Sequence, residues 1–250
     1  MERCVCESDG KRNMKPLTFL LIILSVLIAA CGPQATPLRS TATPVPPTPA
    51  PPTSTAVPPA DLTPAQVAAL SALSESLGLP LAQIKIVQTE AVEWRDSCLD
   101  VDLPGLACLQ VITSGFRIRL EANGLQYEYH TDQDGKSVRA ATVALTWHRE
   151  GGIAGFCDDM QVYLSGEVFG SSCGGEYRLG KLTAEEIQEL REWVTTFGNV
   201  AVESKDQAVA DAMSLGLILN GLGTAQPTDA DKTAMFNWVQ VVYDQAAPCC

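Results

Sequence analysis

The side chains with chemistry to offer are cysteines, two histidines, one glycine run and a few paired carboxylates. Beyond residue 60 the cysteines are Cys98, Cys108, Cys157, Cys173, Cys249 and Cys250. An even number of thiols in an exported chain reads as a disulfide set rather than as metal ligands. Local pairing is the simplest of the three connectivities open to the four internal cysteines. Cys98 and Cys108 flank a tight Asp102-Leu103-Pro104-Gly105 segment, and a hairpin turning at Ser165-Gly166 sets Cys157 opposite Cys173. Each bridge is expected to contribute ~2–3 kcal/mol. Cys249-Cys250 stays open among a vicinal bridge, an intermolecular link and a frayed tail.

His130 and His148 are the only histidines. Nucleophilic catalysis needs a base oriented by a carboxylate, and neither histidine stands in such a context. Both are expected to pack, and the chain is read as non-enzymatic. The run from Gly151 and Gly152 to Gly155 offers backbone N–H groups to an anion, but a phosphate loop needs a preceding strand, a following helix and usually a lysine. Asp132-Gln133-Asp134-Gly135 opens like a calcium loop without its later ligands, so a turn is expected. Asp158-Asp159 reads as the solvated start of a strand. No metal or cofactor is expected. Trp193 and Trp238 sit on helical patterns and belong to the core, whereas Trp94 and Trp147 stand beside loops. Trp94, Trp147, Gly151, Gly152 and Gly155 are therefore the candidate ligand contacts.

The start of the chain gives it an address. Lys11, Arg12 and Lys15 precede an apolar run, Leu17 to Ala30, of 14 residues. That is short of the ~20 residues a spanning helix needs and suits a signal peptide, with Met14 an alternative start. Leu27-Ile28-Ala29-Ala30-Cys31-Gly32 resembles the lipobox of bacterial lipoproteins. The resemblance implies a signal peptide over 1–30, acylation of Cys31, and a membrane partner held through lipid. Residues 33–60 contain ten of the sixteen prolines and a single charge, Arg39. Such a composition cannot bury a core, so 31–60 is read as a disordered lipid-anchored linker, reaching roughly 85 Å at ~3.1 Å per residue.

Without residues 1–30 the chain keeps 13 Lys+Arg against 26 Asp+Glu, a net charge of −13. That excludes a nucleic-acid partner, whose binding relies on cationic contacts to phosphate, and a face lying on anionic lipid.

The rest reads as α+β, in two small modules of antiparallel hairpins packed with one or two helices. The first spans 61–140. Thr63-Pro64 opens a helix with Val67, Leu70, Leu73 and Leu77 on one face and Gly78 at its end. Strands follow around Ile84 and Ile86, at Phe116, Ile118 and Leu120, at Tyr127 and Tyr129, and over Ser137–Ala140. Asn123-Gly124 is a strong hairpin signal. The helix-then-meander order, with Tyr127-Glu128-Tyr129-His130-Thr131-Asp132-Gln133-Asp134-Gly135-Lys136 as the last strand and turn, resembles the PepSY group of extracytoplasmic domains. That resemblance implies protein binding, with peptidase inhibition or regulation as one form of it.

The second module spans 141–250, ending in the Cys-Cys tail. It is expected to hold a strand at Val143–Trp147, a glycine-rich link over His148–Cys157, and a hairpin of Gln161–Ser165 with Glu167–Ser172. A helix opened by a Thr183–Glu186 capping box follows, with Ile187, Leu190, Val194 and Phe197 inward. A strand at Met213–Leu219 leads to a helix over Asp229–Tyr243 with Ala234, Trp238 and Val242 inward. The resulting expectation is an envelope lipoprotein that binds an unknown protein or other envelope ligand.

Overall fold

The computed structural model describes residues 62–173, 175, 177–205 and 211–249. The expected signal peptide, the acylation site at Cys31, the linker up to residue 60, and Cys250 lie outside the described residues. Among the described residues no helix is long and apolar enough to cross a membrane. The class is α+β: two antiparallel sheets and three helices.

Helix α1, Pro64–Leu77, starts on a complete capping box, with the Thr63 N–H donating to Gln66 Oε1 at 2.9 Å. It stops at Gly78, whose φ of 64° is the left-handed cap. Its buried face is Ala65, Ala69, Leu70 and Leu73, while Val67 is exposed. The expected face is thus corrected by rotation toward two alanines, because small side chains let the helix lie close on the sheet. That sheet is the meander β1 (Lys85–Trp94), β2 (Thr113–Ala122), β3 (Leu125–Asp132) and β4 (Val138–Ala140), in sequential order. Asn123 and Gly124, with φ of 50° and 76°, form the β2–β3 turn, the backbone a tight two-residue hairpin demands.

The second sheet has seven strands. These are β5 (Val143–Gly151), β6 (Phe156–Tyr163), β7 (Glu167–Ser171), β8 (Tyr177–Lys181), β9 (Val200–Lys205), β10 (Ser214–Leu219) and β11 (Ala247–Cys249), ordered β11-β8-β7-β6-β5-β10-β9. The expected glycine-rich link over 148–157 is corrected to strand. β5 continues through His148, Arg149 and Glu150, and only 152–155 form the turn, closed by the Gly155 N–H on the Gly152 carbonyl at 2.9 Å. The β6–β7 register, Val162 opposite Val168 and Asp159 opposite Ser171, brings Cys157 and Cys173 together in a disulfide with Cα atoms 5.2 Å apart.

Helix α2, Ala184–Thr196, carries the expected Thr183–Glu186 box and buries Ile187, Leu190 and Val194. Helix α3, Asp229–Gln245, buries Met235, Trp238, Val239, Val242 and Tyr243. Ala234 is exposed, which corrects the inward position expected for it. The larger Met235 and Val239 occupy that face and bury more apolar area than alanine offers.

Both sheets feed one contiguous core. Leu70 and Leu73 of α1, Ile118 and Tyr127 of the first sheet, Leu145 and Val162 of the second, Leu190 of α2 and Val239 of α3 belong to a single buried cluster. The described residues fall in one compact unit. Two ladders, not one continuous sheet, share this core. The two disulfides mark a chain that folds in an oxidising, extracytoplasmic environment.

Candidate functional site

The feature that organises the outer surface is the segment between β1 and β2, residues 95–112. The Cys98–Cys108 disulfide closes it, with Cα atoms 5.5 Å apart. Asp96 Oδ1 accepts the N–H groups of Cys98 (2.9 Å) and Asp100 (3.1 Å), and the Ser97 N–H donates to the Leu109 carbonyl at 2.9 Å. Leu99 and Asp100 take φ of 62° and 57°, a backbone that non-glycine residues adopt only when their surroundings hold them there. The residues on either side of them, Cys98 and Val101, enter a second small core away from the main one. Cys98, Val101 and Leu103 pack on Tyr163, with Ala140, Ala141, Val143 and Phe169 around them. The loop therefore spans the seam where the four-stranded sheet passes into the seven-stranded one.

At its first anchorage the loop covers Trp94. This side chain is fully buried, donates from Nε1 to the Thr131 carbonyl at 2.9 Å, and stacks on His130 with ring centroids 4.2 Å apart. His130 Nδ1 lies 2.7 Å from the Leu99 carbonyl oxygen and Nε2 lies 3.0 Å from Glu128 Oε1. Glu128 also takes Arg119 Nε at 3.0 Å and Arg117 Nε at 3.5 Å. Burial raises the Glu128 carboxyl, but the hydrogen bonds from His130 and Arg119 and the nearby Arg117 outweigh it, and the net direction is below the ordinary value.

At the second anchorage Asp102, Pro104 and Gly105 roof a cleft of about 320 Å³ on the face of the second sheet opposite α3. Strand alternation sends Trp147 and Arg149 of β5 toward α3, and Thr146 and His148 the other way. The cleft floor is accordingly Thr146, His148, Asp159, Gln161 and Ser171. Pairing of His148 with Asp159, and of Asp159 with Ser171, aligns three of them across neighbouring strands. His148 lies flat on Gly216 of β10, where an added Cβ would stand 1.9 Å from the ring. Gly105 has φ of 78° and fits so closely that a Cβ would come within 2.7 Å of Ser171. Tyr163 Oη donates to the Asp102 carbonyl at 3.1 Å, and Gln161 Nε2 donates to Asp102 Oδ2 at 3.4 Å.

The cleft is acidic. Burial raises the Asp159 carboxyl, which His148 opposes, while Asp158, Glu150 and Asp102 push it further upward. Asp159 lies on that floor with its side chain open to solvent, so partial burial against the sheet comes first among the causes and the neighbouring carboxylates add to it.

Of the candidate contacts named from the sequence, Trp147 touches this cleft and the others do not. Trp94 is sealed beneath the loop, and Trp147 itself is 2% exposed, tilted against Tyr243 with centroids 5.2 Å apart. Gly151, Gly152 and Gly155, with φ of 80°, 71° and 65°, shape the β5–β6 turn. The five residues do not line a common cleft. Asp158 was expected in solvent and is corrected to a buried position. Its Oδ2 accepts from Arg149 Nε at 2.8 Å and its Oδ1 from Tyr243 Oη at 2.8 Å. Asp102, His148, Asp159 and Gln161 were not singled out as a group. For His148, Asp159 and Gln161 the signal is the alternation along β5 and β6, which the glycines of 151–155 mask, and for Asp102, which comes from the loop, the sequence carries none. Asp132 and Asp134 form the expected turn, with Lys136 donating to each, from its N–H and from Nζ, at 2.8 Å. Asp96, Cys98 and Cys108 are close enough for a metal, but both sulfurs are spent in the disulfide.

Residues 67–140 match a family described as a domain of unknown function (DUF8738). The matched stretch begins within α1 and ends on the last residue of β4. No curated protein and no solved structure matches the chain.

Proposed function

We propose that this chain is an envelope lipoprotein, tethered through Cys31 and the 31–60 linker, that binds a macromolecular ligand without transforming it. The ligand presents a cationic side chain to the cleft beneath the Cys98–Cys108 loop. The observation carrying this reading is that Asp102 and Asp159 line one cleft with Glu150 near enough to act on Asp159, while Asp158 on the other face of the sheet is already matched by Arg149. An incoming lysine or arginine relieves the repulsion among the cleft carboxylates, and the rigid loop holds Asp102 ready for it, so little ordering cost falls on the protein. The lipobox-like Leu27–Gly32 segment and the two disulfides support the envelope address.

The test uses the full chain with disulfides intact. Tetra-lysine should shift the NMR signals of His148, Gln161 and Ser171, tetra-glutamate should not, and Asp159→Asn should weaken the lysine response. Equal responses to both peptides would remove the cleft from the reading. Separately, Cys31→Ser should release the chain from membranes, and retention would remove the lipid anchor.

A second reading is peptidase inhibition or regulation, in line with the PepSY-like order of helix and meander. One observation favours it: Leu109, Val111 and Ile112, just after the disulfide, are 73%, 49% and 67% exposed. An apolar segment presented from a closed loop suits a protease groove. No inhibition of secreted proteases at micromolar protein would remove it.

A further inference from the structure

The segment that leads out of the Cys98–Cys108 loop holds Leu109, Val111 and Ile112 with their side chains in solvent. Contiguous apolar surface of this kind marks a place of contact. We propose that this ridge rests on a zwitterionic phospholipid surface, so that the folded body itself touches the membrane. The tether belongs to the lipoprotein reading above, on which this contact rests.

The position of the ridge points to the membrane. Trp94 at the end of β1 stands opposite Thr113, the residue that follows Ile112. The Ser114 carbonyl oxygen accepts the Gln133 N–H at 3.0 Å, which sets the β3–β4 turn beside the start of β2. In that turn Gly135 lies against α1, where an added Cβ would stand 2.7 Å from the Pro64 carbonyl oxygen. The ridge, the turn and the N-terminus of α1 therefore share one end of the first sheet, and the Asn123-Gly124 hairpin is at the other. The segment carrying Cys31 and the 31–60 linker joins the body just before Leu62, at the end where the ridge stands.

The backbone of the ridge suits an interface poor in water, where polar groups must bring their own hydrogen bonds. The Leu109 N–H donates to Ser97 Oγ at 2.9 Å, and the Leu109 carbonyl oxygen accepts the Ser97 and Val111 N–H groups, each at 2.9 Å. The Val111 carbonyl oxygen accepts the Thr113 hydroxyl at 3.3 Å. Lipid fits this ridge better than a protease groove does, because a substrate-like segment must offer a free carbonyl to the enzyme's donors. Charge favours a zwitterionic surface over an anionic one. Arg95 is matched by Asp100 at 3.1 Å and Lys136 by Asp134 at 2.8 Å, and Glu93 is exposed at the same end. Three aliphatic side chains alone hold a membrane only weakly. A tether raises their effective concentration to the order of millimolar, which turns weak contact into frequent contact.

The experiment places the full, oxidised Cys31→Ser chain on phosphatidylcholine vesicles through an added N-terminal oligohistidine and nickel-chelating lipid. Ile112→Trp reports from the ridge, and Leu222→Trp from an exposed loop that shares a cleft with Gly124 at the opposite end. The two positions are 67% and 69% exposed, so neither substitution disturbs the core. Relative to unbrominated lipid, dibrominated phosphatidylcholine should quench the ridge reporter about twofold more than the distant one. Adding phosphatidylglycerol, or Leu109→Ser with Val111→Ser, should shrink that difference. Equal quenching of the two reporters would overturn the contact. So would a ridge reporter shielded in the absence of vesicles by a second copy of the chain, or one shielded by a secreted protease and not by lipid. Because the tag supplies the tether, the ridge is read whether or not Cys31 is acylated, and the untagged Cys31→Ser chain reads the anchor by itself.

Discussion

Asp158→Ala should unfold far more easily than the wild type, because it strands a buried arginine. The Arg149 and Asp158 side chains are 15% and 8% exposed, between the second sheet and α3. Asp158 binds two nitrogens of Arg149 through one oxygen and the Tyr243 hydroxyl through the other. Truncation leaves the guanidinium with Gln240 Oε1 at 3.0 Å and the Phe156 face at 4.0 Å. Breaking a buried pair from one side costs ~3–5 kcal/mol. The Gln240 and Phe156 contacts persist in the variant and keep the guanidinium from being wholly unmatched, so a loss at the low end of that range, ~3 kcal/mol, is expected. In urea unfolding with disulfides intact, that is a midpoint lower by ~1–1.5 M at a slope of ~2–3 kcal/mol/M. Removing both charges as Arg149→Met with Asp158→Leu should restore stability to within ~1 kcal/mol of wild type, since apolar replacement of such pairs is often neutral. Tyr243 keeps an acceptor in the Ser171 carbonyl at 3.0 Å. A loss below ~1 kcal/mol for Asp158→Ala would mean that water reaches the pair. A double variant no better than the single one would mean that packing, not charge, sets the cost.

Gly115→Ala places a Cβ 1.9 Å from the Thr131 carbonyl oxygen and 2.6 Å from Trp94 Nε1, so thermal unfolding should show a loss of ~2–4 kcal/mol. Gly124→Ala meets nothing within 4 Å but keeps a φ of 76°, and should lose only ~1 kcal/mol. Replacing Cys98 and Cys108 with serine should cost ~3 kcal/mol, from a loop of sequence separation 10, with faster exchange concentrated in 97–109. Asp159→Asn should raise the melting temperature at pH 7, with the gain shrinking in salt. Its folded carboxyl holds a proton more tightly than the ordinary value of 3.8, so folded-state stability falls as pH rises through the raised value. Glu128 has the opposite sign. Its folded carboxyl lies below 4.5, its contribution is present above that pH and is lost on acidification, and Glu128→Gln should flatten this acid limb of a stability–pH curve.

Much of this protein is written locally and was legible as such. The Thr63 cap and the Thr183–Glu186 capping box, both plain in the sequence, set the starts of α1 and α2 through contacts three residues apart, and the structure adds a third such box, Thr228–Asp231, at α3. Asn123-Gly124 and Ser165-Gly166 set two hairpins, and hairpin register alone paired Cys157 with Cys173. These are short-range matters of backbone conformation and hydrogen-bonding reach, which sequence spacing determines. Tertiary structure decided what depends on a distant partner. Glycines after His148 looked like a break, yet pairing with β6 and β10 carries β5 through Gly151. β8, β9 and β11 are strands because a growing sheet edge offers them partners, not because of their own alternation. Asp158 and Asp159 are adjacent and alike in sequence, but the pleat sends one to Arg149 beneath α3 and the other to the cleft. Trp94 beside a loop and a loop closed by cysteines were both readable. That the loop folds back over Trp94, clasps His130 and crosses onto the second sheet was not, because burial there is a property of surfaces that meet only once the chain is folded.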